Sequence, residues 1–182
     1  MLSNIVALAG QTGSGKTSLG RELSRRLGAT FTSFGSFVRV EAERRGIPPN
    51  RLSLQALGQD MVHEYGPDEF VRKVLELAVP KDEASRRVMV LDGVRTTEVW
   101  HSIQKLACVS RLVYLDIDVD TRIERVRMRD RTDLPTLHTV MDHQLETSVP
   151  SLRVHADVIL RHGSIDILAN QVIEDLASRD FI

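Results

Sequence analysis

Apolar positions follow two rhythms along this chain, and the rhythms take turns. Asn4-Ile5-Val6-Ala7-Leu8-Ala9, Val88-Met89-Val90-Leu91, Leu112-Val113-Tyr114-Leu115-Asp116-Ile117 and Ala156-Asp157-Val158-Ile159-Leu160 are short, mostly apolar runs. Runs of that length fit strands buried on both faces of a parallel sheet. Between them apolar residues recur every three or four positions, the spacing of one helix face. Leu19, Leu23 and Leu27 mark a helix over about 16–27, with Gly28 placed as its C′ residue. A short, weak strand, Thr30 to Ser33, follows. From Gly35 to Val79 the pattern is helical only. One segment runs from Ser36 to Arg45 and stops at Gly46-Ile47-Pro48-Pro49. A second carries Leu54, Leu57 and Met61. A third starts at Pro67, a favoured first helical position, carries Phe70, Val71, Val74 and Leu75, and ends at Pro80.

The second half repeats the alternation. Thr96 is a candidate N-cap for a helix carrying Val99, Ile103 and Leu106. An arginine-dense helix starts near Asp120, and Thr136 to Thr147 reads as another helix. Ser164 is placed to cap a last helix carrying Ile165, Leu168, Val172 and Leu176. The pattern predicts an α/β fold: five parallel strands wrapped by helices, a helical insertion after the second strand and an Arg-rich excursion after the fourth. Ligands of such sheets bind beyond the carboxyl ends of the strands.

Composition narrows the class. The 182 residues suit one domain, with 42% hydrophobic and 27% charged residues. A net charge of −1 gives no reason to expect generalised binding to nucleic acid or to a membrane surface. Arginine outnumbers lysine 20 to 4, and its planar fork of donors matches phosphate oxygens. Cys108 is the only cysteine, so no intrachain disulfide can form and a reducing cytoplasmic setting is expected. The apolar start lacks a basic leader, and no run is long enough to span a bilayer. A monomer or a homodimer is expected.

The chemistry concentrates at a few points. Gly10-Gln11-Thr12-Gly13-Ser14-Gly15-Lys16-Thr17 fits the phosphate-binding loop pattern Gly-x-x-x-x-Gly-Lys-Ser/Thr, between the expected first strand and first helix. Glycines let the backbone wrap an anion so that successive N–H groups point inward. Gly10, Thr12, Gly13, Ser14, Gly15, Lys16, Thr17 and Ser18 are therefore candidate ATP-binding residues. Lys16 is placed to reach the β- and γ-phosphates, and the Thr17 hydroxyl to ligate Mg²⁺. Asp92 ends a strand of four apolar residues, the Walker B form, and is the candidate partner of Thr17 at the metal. Asp116 is its rival. Arg95, after Gly93, is a candidate clamp for an acceptor phosphate, and Arg39 a second. Arg122, Arg125, Arg127, Arg129 and Arg131 form the densest charge cluster. Like charges at helical spacing repel, so the cluster suggests anions nearby, either phosphates or acidic neighbours. No histidines stand at metal spacing; His138 and His143 read as helix-surface residues, and Trp100 and Cys108 as packing residues.

Together these residues resemble the P-loop kinases of the nucleoside monophosphate kinase group, adenylate kinase-like and cytidylate kinase-like, over nearly the whole chain. Ser33-x-Gly35-x-x-x-Arg39 looks like the adenylate kinase element that holds the acceptor nucleotide's phosphate. Leu91-Asp92-Gly93-Val94-Arg95 resembles that family's Asp-Gly-Phe-Pro-Arg segment, one residue shorter and without the proline. The Asp-Gly-Val-Arg form looks closer to a dephospho-CoA-kinase-like branch. Ala156-Asp157-Val158-Ile159 resembles the Ala-Asp strand before the adenine-binding loop. The resemblance implies a three-layer α/β/α P-loop NTPase fold. Its core would be 1–33, 81–119 and 136–182, its acceptor-binding insertion 34–80 and its lid 120–135. It further implies ATP as donor with Mg²⁺. Ser33, Gly35, Arg39 and Arg95 would meet the acceptor, Arg125 the ATP, and Lys16, Asp92, Arg129 and Arg131 would act in catalysis.

Two departures bear on the acceptor and donor. Dephospho-CoA kinases carry an Asp-x-Asp after the second strand, whose first aspartate is the base for a hydroxyl; Ser33 and Gly35 stand there. A phosphate acceptor is already anionic and needs no base. The asparagine often found after the Ala-Asp strand is replaced by Arg161-His162-Gly163. A nucleoside monophosphate kinase is the leading expectation. The alternatives are a kinase for dephospho-CoA or a small alcohol, and a nucleotide-binding regulatory ATPase.

Overall fold

Strand β1, Asn4–Gly10, lies at the centre of the sheet because both of its faces are apolar. Ile5, Ala7 and Ala9 join one buried cluster, while Val6 and Leu8 join another on the opposite face. The period of two along a strand makes this division. The computed structural model describes residues 3–78, 87–130 and 147–182. It contains a five-stranded, all-parallel sheet in the order β2-β3-β1-β4-β5. The other strands are β2, Thr30–Ser33, β3, Val88–Val94, β4, Ser110–Leu115, and β5, Val158–Leu160.

Helices cover both faces, giving the expected three layers. On one side lie α1, Lys16–Leu27, and the last helix α7, Ile165–Ser178; Leu19, Leu23, Leu168 and Val172 are fully or almost fully buried there. On the other side lie α2, Phe34–Arg44, α3, Arg51–Tyr65, α4, Pro67–Glu76, and α5, Thr97–Leu106. Full burial of one Leu, Val or Ile contributes about 1.5–3 kcal/mol, so the two faces together dominate the fold's stability. The Phe34 ring stacks on Phe70 with centroids 5.3 Å apart, fixing α2 on α4. Helix α6, Val119–Asp130, leaves the carboxyl end of β4. No described helix is long and apolar enough to cross a membrane.

Local signals placed most helix ends. Thr96 accepts from the Val99 N–H, Ser164 from Ile167 N–H, and Gly28 takes the left-handed conformation after α1. Pro67 opens α4. Several details differ from the sequence pattern. Helix α2 begins at Phe34 rather than Ser36, because the Ser33 hydroxyl accepts from the Ser36 N–H and caps it two residues earlier. Strand β3 continues past Asp92 to Val94, through a register irregularity against Leu8 and Ala9 that Gly93 accommodates at φ 96°. Strand β4 ends at Leu115, two residues early, and β5 starts only at Val158. A 3₁₀ turn, Val149–His155, precedes β5, and buries Val149 and Leu152 against the α5 side. Trp100 packs in the core as expected, but Cys108 is exposed in the turn before β4 and is not a packing residue. The helix expected over 136–147 lies almost wholly outside the described residues, as do His138, His143 and Arg131.

Candidate active site

The glycine-rich loop leaves the carboxyl end of β1 and enters α1, as its spacing required. Gly10 stands at φ 140°, and a Cβ there would meet the Leu115 carbonyl oxygen at 2.8 Å. Gly13 stands at φ 83°, with its absent Cβ only 2.4 Å from the Arg122 carbonyl oxygen. Both positions combine left-handed backbone with close approach of a neighbouring strand or helix, so glycine is required at each. Helix α1 starts at Lys16 with no side-chain cap and no acidic residue in its first turn. Its N-terminal amides and its positive dipole end are thereby left to an anion. Lys16 is buried and lies back along the loop; its Nζ donates to the Gln11 carbonyl at 2.9 Å and to Ser14 Oγ at 3.3 Å.

Thr17 and Asp92 meet. The Thr17 hydroxyl donates to Asp92 Oδ2 at 2.6 Å. Asp92 is only 5% exposed, and its other oxygen, Oδ1, is buried with no hydrogen-bond partner among the described residues. An ionised carboxylate oxygen without a donor is costly in a protein interior, and a bound cation removes that cost. A hydroxyl beside a carboxylate, both hard oxygen donors, fits magnesium, which takes few protein ligands and completes its shell with water and phosphate. Among the described residues no cluster of three or more His, Cys, Asp or Glu is placed to hold a metal. The rival, Asp116, lies just past β4 and pairs instead with Arg153 at 3.2 Å and Arg161 at 3.6 Å.

A second group of polar residues stands on the neighbouring strand ends. Ser33 is the register partner of Asp92 across β2 and β3. Its hydroxyl is held by Ser36, accepting from the N–H and donating to Oγ at 2.8 Å. Arg39 extends from α2 into solvent and donates to the Gly35 carbonyl at 3.2 Å; a Cβ on Gly35 would lie 3.6 Å from that guanidinium. Arg95 is half-buried just beyond the end of β3. Sheet topology therefore puts Ser33, Gly35, Arg39 and Arg95 on the same edge as the glycine loop.

The arginines of α6 do not share one fate. Arg125 donates to the Ser14 carbonyl at 3.3 Å, beside the loop. Arg127 and Arg129 are exposed. Arg122 is buried, its Nε donating to the Ile117 carbonyl at 3.1 Å and its Nη1 to the Thr12 carbonyl at 3.4 Å. Sequence reading grouped Arg122 with the rest. Its three-residue spacing from Arg125 put both on one face, but not which neighbour that face meets. Asp118, which no sequence signal singled out, caps α6 by accepting from the Thr121 N–H at 2.8 Å. That N–H holds its carboxyl below the usual range. A cleft of about 420 Å³ opens between the loop, the start of α6 and the turn after β5, where Ser14, Ser18, Ile117, Arg125, His162 and Leu168 line it.

Comparison with known proteins agrees with this architecture. A family model described as an AAA domain matches residues 9–138. A UPF0200 protein of Pyrobaculum aerophilum is 32% identical over 132 residues, which cover 72% of this chain and 70% of that one. A cytidylate kinase of the same organism is 33% identical over 130 residues, covering 71% of this chain and 62% of its own. Among solved structures, the shikimate kinase of Acinetobacter baumannii in complex with shikimate superposes with a TM-score of 0.59 at 16% identity, covering 100% of this chain and 97% of that one. At that identity the likeness speaks for the fold alone.

Proposed function

This chain belongs to the AAA-domain family that its residues 9–138 match, with a P-loop kinase-like fold, and from that premise we propose that it transfers the γ-phosphate of ATP to a nucleoside monophosphate. The observation that carries this reading is the Thr17–Asp92 pair, with its orphaned Oδ1, set beside a glycine loop on one side and Ser33, Arg39 and Arg95 on the other. This arrangement supports a metal-assisted donor site next to a second anion site.

Gly10 to Thr17, with Ser18, cradle the triphosphate through backbone N–H groups, and Lys16 leaves its loop contacts to reach the β- and γ-phosphates. Thr17 and Asp92 hold Mg²⁺; when bound, the ion neutralises charge on the phosphate oxygens. Ser33, the Gly35 backbone, Arg39 and Arg95 orient the acceptor phosphate. One of its oxygens forms the new bond to the γ-phosphorus while the bond to the β-bridging oxygen breaks, leaving ADP. That oxygen is anionic near neutral pH, so no proton has to be removed. Ser33 and Gly35 supply no carboxylate, which suits a phosphate acceptor better than an alcohol. Arg125 and Arg129, with Arg131 as the resemblance implies, balance charge spread over the equatorial oxygens. Catalysis of this kind is positioning plus charge stabilisation.

The test is ADP release from ATP and Mg²⁺ with each nucleoside monophosphate, with dephospho-CoA, and with no acceptor. Strong stimulation by one or more monophosphates is expected. Stimulation by dephospho-CoA alone would replace the acceptor class. Slow release indifferent to every acceptor would replace the kinase with a regulatory ATPase.

A further inference from the structure

Arg122 takes no part in the transfer set out above, yet among the described residues it is the only buried arginine. Its surroundings follow from the loop's own geometry. A backbone that turns its N–H groups inward toward an anion turns carbonyl oxygens outward. At the crest of this loop the outward carbonyls of Thr12 and Ser14 meet α6. Arg122 Nη1 donates to Thr12 O at 3.4 Å and Arg125 Nη1 to Ser14 O at 3.3 Å. The Arg122 backbone carries the first turn of α6 directly onto Gly13, leaving no room for a Cβ. Arg122 Nε also donates to Ile117 O at 3.1 Å, just past the end of β4. One guanidinium thus bridges the crest of the loop and the end of a core strand.

We infer that Arg122 is a positioning residue for the triphosphate: it fixes the crest of the phosphate loop and ties that crest to α6. The inference rests on the proposed reading that the loop binds ATP. The 3.4 Å contact is at the long end for a hydrogen bond, so much of its effect is the attraction between a buried cation and the outward carbonyl dipole. The same charge lies behind the cradle, on the side away from the anion. Arg125 is exposed, so it can swing from Ser14 O to a phosphate; Arg122 is enclosed and stays. Arg122 should therefore set ATP affinity without touching the acceptor.

Arg122→Lys keeps the charge but cannot bridge two carbonyls, and Arg122→Gln keeps one donor without the charge. Calorimetric titration with ATP and Mg²⁺ should show affinity falling about tenfold in each, the size expected for losing a charge-assisted bond. The KM for the acceptor should stay within about twofold at saturating ATP, and Arg25→Lys, the same exchange at an exposed position on α1, should bind ATP as the wild type does. Variants that bind ATP normally, or that lose ATP and acceptor alike, overturn the inference. A wild type that does not bind ATP at all instead overturns the functional reading beneath it. Should both variants fail to fold, amide hydrogen exchange of the wild type decides. On adding ATP, residues 12–15 and 119–126 should gain protection together, and protection of the loop without α6 refutes the coupling.

Discussion

Thr17 gives its hydroxyl proton to Asp92 across 2.6 Å, joining the first turn of α1 to the third strand over 75 residues of sequence. The two groups meet where β1 and β3 run side by side, Leu8 opposite Asp92. Asp92 Oδ1 is buried with no hydrogen-bond partner among the described residues, which supports reading the pair as part of a coordination sphere rather than as a structural tether alone.

Asp92→Asn should therefore strike metal use rather than folding. The amide keeps the shape and can still accept from Thr17. Turnover should fall by about two to three orders of magnitude, the scale of removing one preorganised charge partner from a transition state. The concentration of Mg²⁺ needed for half-maximal rate should rise, with the circular dichroism spectrum unchanged. Equal rates in variant and wild type would remove Asp92 from the mechanism.

Lys16→Ala should abolish transfer and leave the fold intact. Its Nζ donates to Gln11 O and Ser14 Oγ within the loop itself, so these two bonds tie no distant element to it. Acceptor-stimulated ADP release measured on the folded variant checks this; wild-type-like transfer would falsify the role.

Arg39→Ala and Arg95→Ala should separate acceptor from donor. Each is expected to raise the acceptor KM by about ten- to hundredfold, since a hydrogen bond to a charged group contributes about 1.5–3 kcal/mol. The KM for ATP should hold. A matching rise in both constants would show that the two arginines do not form a separate anion site.

Gly20→Ala tests the packing of α1 on the sheet. A Cβ there would lie 2.8 Å from Phe31 Cε2 and 2.9 Å from Leu8 Cδ1, between α1 and the sheet. Overpacking of this kind costs about 1–3 kcal/mol. The denaturant midpoint should drop with little change in slope.

Glu41 gives an acid-side prediction. Hydrogen bonds from Arg44, and then from Arg45, hold its carboxyl at about 2, against the opposing effect of burial. Its ordinary value is 4.5. A depressed folded value means that the unfolded chain takes up the proton first. The contribution to stability is complete above about 4.5 and is lost as pH falls toward 2. Urea midpoints of wild type and Glu41→Gln, measured from pH 6 down to pH 2, should converge at the acid end; a constant gap across the range would contradict this.

The glycine loop, the caps at Thr96 and Ser164, the C-terminal Gly28 and the opening Pro67 were all readable from sequence, because each depends on neighbours a few residues away. Apolar runs gave the strands for the same reason. The Ser33 cap was missed at its true position because a strand-end serine can also cap the helix that follows. Five parallel strands were readable as an α/β sheet, but their order, and with it the pairing of Asp92 with Leu8 and Ser33, required the sheet itself.

What the chain alone determined was an anion cradle: its spacing, its glycines and the helix behind it are contiguous and set by local backbone sterics. Only the tertiary structure decided which aspartate meets it and which arginine packs on it. Asp92 and Asp116 both stand near strand ends, and they separate because Thr17 reaches one while Arg153 and Arg161 occupy the other. Arg122 and Arg127 are chemically identical and five residues apart on one helix. The packing of α6 on the loop buries the first and leaves the second in water, because a helix has one inner face and the sequence does not say what that face will meet.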